Sequence, residues 1–293
     1  MNTPLVVSTR MPVRTDGLRA PVIVAPMCPV SGPGLVVASC RAGLVGSFPL
    51  RNARTPWELA SGMDEIHAGL AGLVHARWAA SMIVQRDYAR FEDELALVLR
   101  YRPPIVLTAL GSPRRVVAAV RDYGGAVFAE VISVEQALKA AFAGADGLVL
   151  VRGGSEDPSP LAMIDEVRTF FSGPLAVGGG FVTGRDVRAA EVLGADLAYV
   201  GGRFGACAEA AVDSPVSGSV DSSVDGLVDG SAGVPGGIVR AADPDLASAL
   251  TGLPLGWVAE GWPADGADRA PADEVAGQVV AEYHAAVAAE SGV

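Results

Sequence analysis

The chain has 293 residues, half of them hydrophobic and only 6% aromatic, with a formal net charge of −11. That charge argues against nucleic-acid binding, which depends on Lys and Arg neutralising phosphates. The three cysteines, Cys28, Cys40 and Cys207, are too widely spaced to imply a disulfide framework or a metal-ligand set.

The opening "MNTPLVVSTRMPVRTDG" holds no apolar run long enough for a signal peptide, and no later run reaches a membrane span. A cytoplasmic protein without membrane partners is expected. The first strand signal is "PVIVAP" (21–26), followed by a helix over 33–42 and the strand "LVGSF" (44–48). A helix over 56–71 leads to "AASMIV" (79–84), and one over 88–101 leads to "PIVLTA" (104–109). Helix 113–123, strand "AVFAEV" (126–131), helix 133–143 and strand "GLVLV" (147–151) continue the alternation. Within 133–143, Val134, Ala137, Leu138 and Ala141 share one face at helical spacing. Helix 159–171, strand "PLAVG" (174–178), helix 183–193 and strand "LAYVG" (197–201) complete eight repeats. "AFAGADG" and "EVLGADL" each end a helix on Gly just before the next strand.

Eight strand–helix units predict an α/β protein, a closed (β/α)8 TIM barrel over residues 1–210, a fold of about 250 residues. An open doubly wound sheet shares the same alternation. After Phe204 the rhythm breaks. Residues 211–237, rich in Ser, Gly and Asp, read as a flexible loop. Residues 238–293 read as a C-terminal helical extension packing on the barrel, with an amphipathic helix from Pro271 to about Ala289. No second domain is expected.

The seventh strand runs into Gly178, Gly179 and Gly180, and the eighth into Gly201 and Gly202. A phosphate needs several N–H donors converging where no Cβ intrudes, and glycines at a strand end followed by a helix start supply that. In TIM barrels the phosphate site lies after strands seven and eight. The alternative is that these glycines only make tight turns. A phosphate is the expected ligand.

"APMCPVSGPGLVVASCRAGLVGSF", "GLVLV" and "PLAVGGGFVTGRDVRAAEVLGADLAYVGGRF" resemble the nitronate monooxygenase family, to which flavin-dependent enoyl reductases are related. The resemblance covers roughly residues 18–206. It implies FMN as cofactor, with Ala25, Pro26 and Met27 along the isoalloxazine and Gly178, Gly179, Gly180, Gly201 and Gly202 on the phosphate. Ser81 stands where the family has a flavin-contacting Asn. The family's Gly-Gly-His loop after strand six is replaced by "RGGSEDPSP" (152–160), without His, and His67, His75 and His284 are all out of register. Arg152 would set a positive charge near the reduced flavin or pair with Glu156 or Asp157. These two acids read as a helix N-terminal cap or as a substitute base. "VAEGWPADG" (258–266) and Gln85 also depart from the family pattern.

Without the His, the reading is an oxidoreductase that oxidises nitronates or similar preformed small-molecule anions with flavin and O2, and fails on neutral nitroalkanes. An NAD(P)H-dependent enoyl or unsaturated-thioester reductase, with Tyr88 or Glu130 as proton donor, is one alternative. A non-redox barrel binding a phosphorylated ligand or a protein partner is another. No metal is expected, and a homodimer is compatible.

Overall fold

The computed structural model describes residues 17–28, 30–152, 159–209 and 270–291. The expected segments 211–237 and 258–266 lie outside these residues. Strands Val22–Val24 (β1), Val45–Pro49 (β2), Arg77–Ile83 (β3), Ile105–Ala109 (β4), Ala126–Val131 (β5), Gly147–Leu150 (β6), Leu175–Gly178 (β7) and Leu197–Val200 (β8) pair in parallel, each with the next. Val22, Ile23 and Val24 then pair with Ala198, Tyr199 and Val200, which closes the barrel. The open-sheet alternative is therefore excluded.

The strands form because both of their faces can be buried. Ile23, Val45, Ala79, Leu107, Phe128 and Leu197 point into the barrel. Val22, Leu148, Leu150 and Val177 point outward into a second layer under the helices. The interior accommodates the Phe128 ring because its neighbour on β6 is Gly147, where a Cβ would lie 2.6 Å from that ring.

The surrounding helices are Pro33–Arg41 (α1), Pro56–Leu70 (α2), Phe91–Tyr101 (α3), Arg114–Asp122 (α4), Val134–Phe142 (α5), Ile164–Arg168 (α6), Gly184–Val192 (α7) and Gly202–Gly205 (α8). Side-chain caps fix several starts: Thr55 accepts from the Glu58 N–H, Ser133 from that of Gln136, and Thr183 forms a capping box with Asp186. Two expectations are corrected. The segment 159–171 is not one helix: a 3-10 turn, Pro160–Met163, precedes the short α6. On α5 the buried residues are Ala137, Ala140 and Ala141, whereas Leu138 is 37% exposed. Small alanines let this helix lie close to the sheet, which turns the larger Leu138 to its flank.

At the end of the barrel opposite the C-terminal strand ends, the two Gly-Ala-Asp sequences build one device twice. Asp146 Oδ2 accepts from the Val127 N–H at 2.9 Å while the Asp146 N–H donates back to Val127 O. Asp196 Oδ2 does the same with Leu175 at 2.8 Å. Each carboxylate also holds an arginine, Arg121 and Arg168 respectively.

The terminal helix, Ala272–Ser291 (α9), lies against the barrel, burying Ala272, Val275, Ala276, Val279 and Val280. It crosses α7 at Gly184, where a Cβ would lie 2.2 Å from Tyr283 N and 2.3 Å from Val279 O. No described helix is long and apolar enough to cross a membrane.

Candidate active site at the C-terminal mouth of the barrel

Side chains at the C-terminal strand ends of a TIM barrel converge on one face. Here they enclose a cavity of about 50 Å³. Pro26, Pro49, Ile83 and Leu110 form its apolar walls, and Cys28, Arg51, Ser81 and Glu130 are its polar groups. Leu110 holds a left-handed φ of +56°, and a Cβ on the next residue, Gly111, would meet Val84 O at 2.7 Å. Strain of this kind in a loop facing a cavity often accompanies a functional site.

The loops after β1 and β2 are tied together. Asn52 Nδ2 donates to Met27 O at 3.2 Å and to Ser31 O at 2.9 Å, and Ser31 Oγ accepts from the Met27 N–H at 3.0 Å. Arg51, in the 3-10 turn Leu50–Asn52, projects from this rigid base and is exposed. Among the described residues it makes no ion pair. Met27 itself is fully buried in the outer layer of the core, so the β1 loop offers the cavity Pro26 and Cys28 rather than the Met27 side chain. Ala25 is buried in the barrel interior, its N–H donating to Val200 O at 2.9 Å.

Across the barrel, the Tyr199 hydroxyl of β8 donates to Glu130 Oε1 of β5 at 2.5 Å. Burial pushes the Glu130 carboxyl up to about 7, against the opposing effect of the Tyr199 hydrogen bond. Burial together with the Glu130 carboxylate raises the Tyr199 phenol well above its ordinary range. Cys28 is pushed up to about 11, mainly by burial and against the pull of Arg51.

Tyr88, a sequence candidate for proton donation, is directed elsewhere: its hydroxyl donates to Glu94 Oε1 at 2.7 Å, beneath the β3–α3 connection. Glu94 is 1% exposed and also faces Arg90. Arg152 is exposed, one position beyond the loop start after β6. Glu156 and Asp157 lie outside the described residues. His67, His75 and His284 are exposed, and none lines the cavity.

The glycine loops after β7 and β8 lie at the same C-terminal end of the barrel without lining the cavity. Gly179 and Gly202 are exposed. Gly180 adopts φ +74° with open space where a Cβ would stand, and a Cβ on Gly179 would meet only the Phe181 ring, at 3.5 Å. Gly178 is more enclosed, with the Tyr199 ring and Val151 3.4–3.5 Å from such an atom. The start of α7 is already occupied by carboxylates. Asp186 Oδ2 accepts from the Val182 and Thr183 N–H groups at 2.9 and 2.7 Å, and Glu282 Oε2 from that of Gly184 at 2.8 Å. Any anion at this rim would therefore be held by loop glycines and not by the α7 N-terminus.

Arg51 and Cys28 were not singled out by the sequence. The signal for both was positional: each falls a few residues past the end of an early strand, where a barrel places its site.

Comparison with known proteins follows the same lines. A family model described as nitronate monooxygenase matches residues 73–222. A nitronate monooxygenase of Paraburkholderia phytofirmans is 24% identical over 81% of this chain and 76% of its own length. The nitronate monooxygenase npaC of Metarhizium robertsii is 31% identical over 65% of this chain and 60% of its own length. The M276A mutant of FabK from Thermotoga maritima shares the fold, with a TM-score of 0.71 at 19% identity over 96% of this chain and 99% of that one. With the matched region spanning half the sequence and running from β3 beyond the second glycine loop, the chain belongs to the nitronate monooxygenase family.

Proposed function

We propose that the protein is an FMN-dependent oxidoreductase that takes a nitronate or similar preformed anion at the barrel mouth and delivers its electrons to O2. The observation that carries this reading is Arg51, a cation on a short turn lining an apolar-walled cavity at the end of the barrel where the open glycine loops after β7 and β8 also lie.

The residues present fit the cofactor, because Gly179 and Gly180 leave unfilled the space that side chains would take. Backbone N–H groups of Gly178, Gly179, Gly180, Gly201 and Gly202 would hold the phosphate. Pro26 and Ser81 would lie along the ring system, while Ala25 and Met27 support that loop by packing. Arg152 would contribute positive charge at the rim. When bound, FMN supplies a two-electron acceptor that O2 reoxidises.

The remaining work belongs to the chain. Arg51 draws in and orients the anion, and the walls of Pro49, Ile83 and Leu110 exclude water around it. A nitronate arrives already deprotonated, so the absence of the family His does not block its oxidation. Of the two proton donors considered for the reductase alternative, Tyr88 is committed to Glu94, whereas Glu130 lines the cavity.

The test is a visible spectrum of the purified protein followed by O2 consumption with nitronates and with the parent nitroalkanes. Retained FMN and turnover confined to the nitronates are expected, with R51A losing about 10- to 100-fold in kcat/KM at unchanged flavin content. A colourless protein that does not retain added FMN overturns the redox reading, and equal turnover of both substrate forms overturns the preference for anions. NADPH consumption without nitronate would instead favour the reductase.

A further inference from the structure

We propose that Glu130, pinned by Tyr199, is a proton-linked selector for the anion: the cavity accepts a small oxyanion only with the Glu130 carboxyl protonated, so binding takes up one proton from solvent. The inference rests on the reading of the mouth as an anion site and assigns the group that sets its pH dependence.

The geometry dictates the linkage. Glu130 and Arg51 line the same small cavity, one a carboxyl and the other a permanent cation. An anion drawn in by Arg51 enters the cavity that Glu130 also lines, and a carboxylate there disfavours a second negative charge. Tyr199 decides how the conflict is resolved. Its hydroxyl donates to Oε1, and no described residue donates to Oε2. A proton taken up on Oε2 turns that oxygen from a repelling acceptor into a donor to the bound oxyanion. Arg51 and the carboxyl O–H then offer donors from two sides, which suits a planar, delocalised XO2 group such as a nitronate or a carboxylate.

The groups facing Glu130 leave it as the one that switches. From β8 comes Tyr199, whose phenol stays protonated because burial and Glu130 raise it far above 10. From the loop after β1 comes Cys28, raised to about 11 and hence a neutral thiol. The loop after β2 contributes the Arg51 guanidinium, and β3, β4 and the residue after β4 contribute only Ser81, Met82, Ile83, Ala109 and Leu110, none of which carries a charge. Beyond β6, Arg152 is exposed and constantly charged. Among these only Glu130, raised to about 7 by burial, titrates between pH 6 and 9.

The experiment measures binding rather than turnover. Propionate, an unreactive five-heavy-atom match for ethyl nitronate, is titrated calorimetrically into the FMN-saturated protein from pH 6 to 9, at each pH in two buffers of different ionisation enthalpy. Affinity should fall about tenfold per pH unit above roughly 7, with close to one proton taken up at pH 8. E130Q should bind with flat pH dependence and no proton uptake. Y199F, lacking the hydrogen bond that favours the carboxylate, should shift the inflection to higher pH. A flat wild-type profile, or a slope retained in E130Q, overturns the proposal. Absence of propionate binding while nitronates are still oxidised overturns the selector and leaves the proposed function standing. Loss of FMN retention defeats both.

Discussion

The Tyr199 hydroxyl and the Glu130 carboxylate meet 2.5 Å apart inside the barrel, carried there by strands β8 and β5 from different sides of its circumference. This contact places an ionisable group at the floor of the mouth, where burial raises it from an ordinary 4.5 to about 7. The folded protein thus binds that proton more tightly than the unfolded chain. Its contribution to stability is full below about pH 4.5 and is lost as pH rises through about 7. Each pH unit across this window corresponds to about 1.4 kcal/mol, so we expect the wild type to lose up to about 3 kcal/mol relative to E130Q. Urea denaturation of both proteins at pH 4.5, 6 and 7.5 measures the difference; parallel curves would show that Glu130 is not so perturbed.

Gly179 provides a separate test of the rim. A Cβ there meets nothing closer than the Phe181 ring at 3.5 Å, so the apo fold has room for a side chain. G179V should therefore keep the thermal midpoint within about 2 °C, while its FMN affinity, followed by quenching of flavin fluorescence, drops at least 30-fold. Undiminished affinity would remove this loop from the phosphate site.

The fold was largely legible in the sequence, because strands buried on both faces read as apolar runs that nothing else in a chain of this length resembles. All eight strands from β1 to β8 fall within or overlap the expected segments. Helix faces were harder to read. Periodicity grouped Leu138 with the apolar stripe of α5, yet close approach to the sheet selected Ala140. The site was only half legible. The glycines announced themselves by their number, whereas Arg51 and Cys28 sit in ordinary-looking loops and acquire meaning once β1 and β2 are adjacent. Glu130 was visible as an acid in an apolar strand, but not its partner, since Tyr199 lies 69 residues away.

The paired Gly-Ala-Asp devices at the far end of the barrel should matter for stability alone, as that end is remote from the mouth. They differ in burial: the Asp146 side chain is 2% exposed and that of Asp196 45%. Removing Asp146 leaves the buried Val127 N–H without its side-chain acceptor, a loss of about 1–3 kcal/mol. Water can replace much of what Asp196 does, so D196A should cost about 1 kcal/mol. Denaturation of D146A and D196A, with FMN affinity measured alongside, should show this order of stability and unchanged flavin binding.

The contact of α9 with Gly184 links the terminal helix to the rim. Glu282, on α9, receives the Gly184 N–H, and it also pairs with Arg203, whose guanidinium donates to Val182 O at 2.8 Å. One arginine thus joins the segment after β7, the start of α8 and the terminal helix. A methyl group at position 184 would lie 2.2 Å from the Tyr283 nitrogen, and because backbone surrounds it on the α9 side, no rotamer change relieves the overlap. G184A should undock α9 at a cost of about 3 kcal/mol. Limited proteolysis would then remove the terminal segment from G184A but not from the wild type. With Arg203 freed from Glu282, the glycine loops lose their outer brace, and FMN affinity should fall together with stability. R203A tests this coupling separately, since it breaks the brace without forcing the helices apart. It should weaken FMN binding while leaving α9 protected, and unchanged flavin affinity in R203A would confine the role of α9 to covering α7.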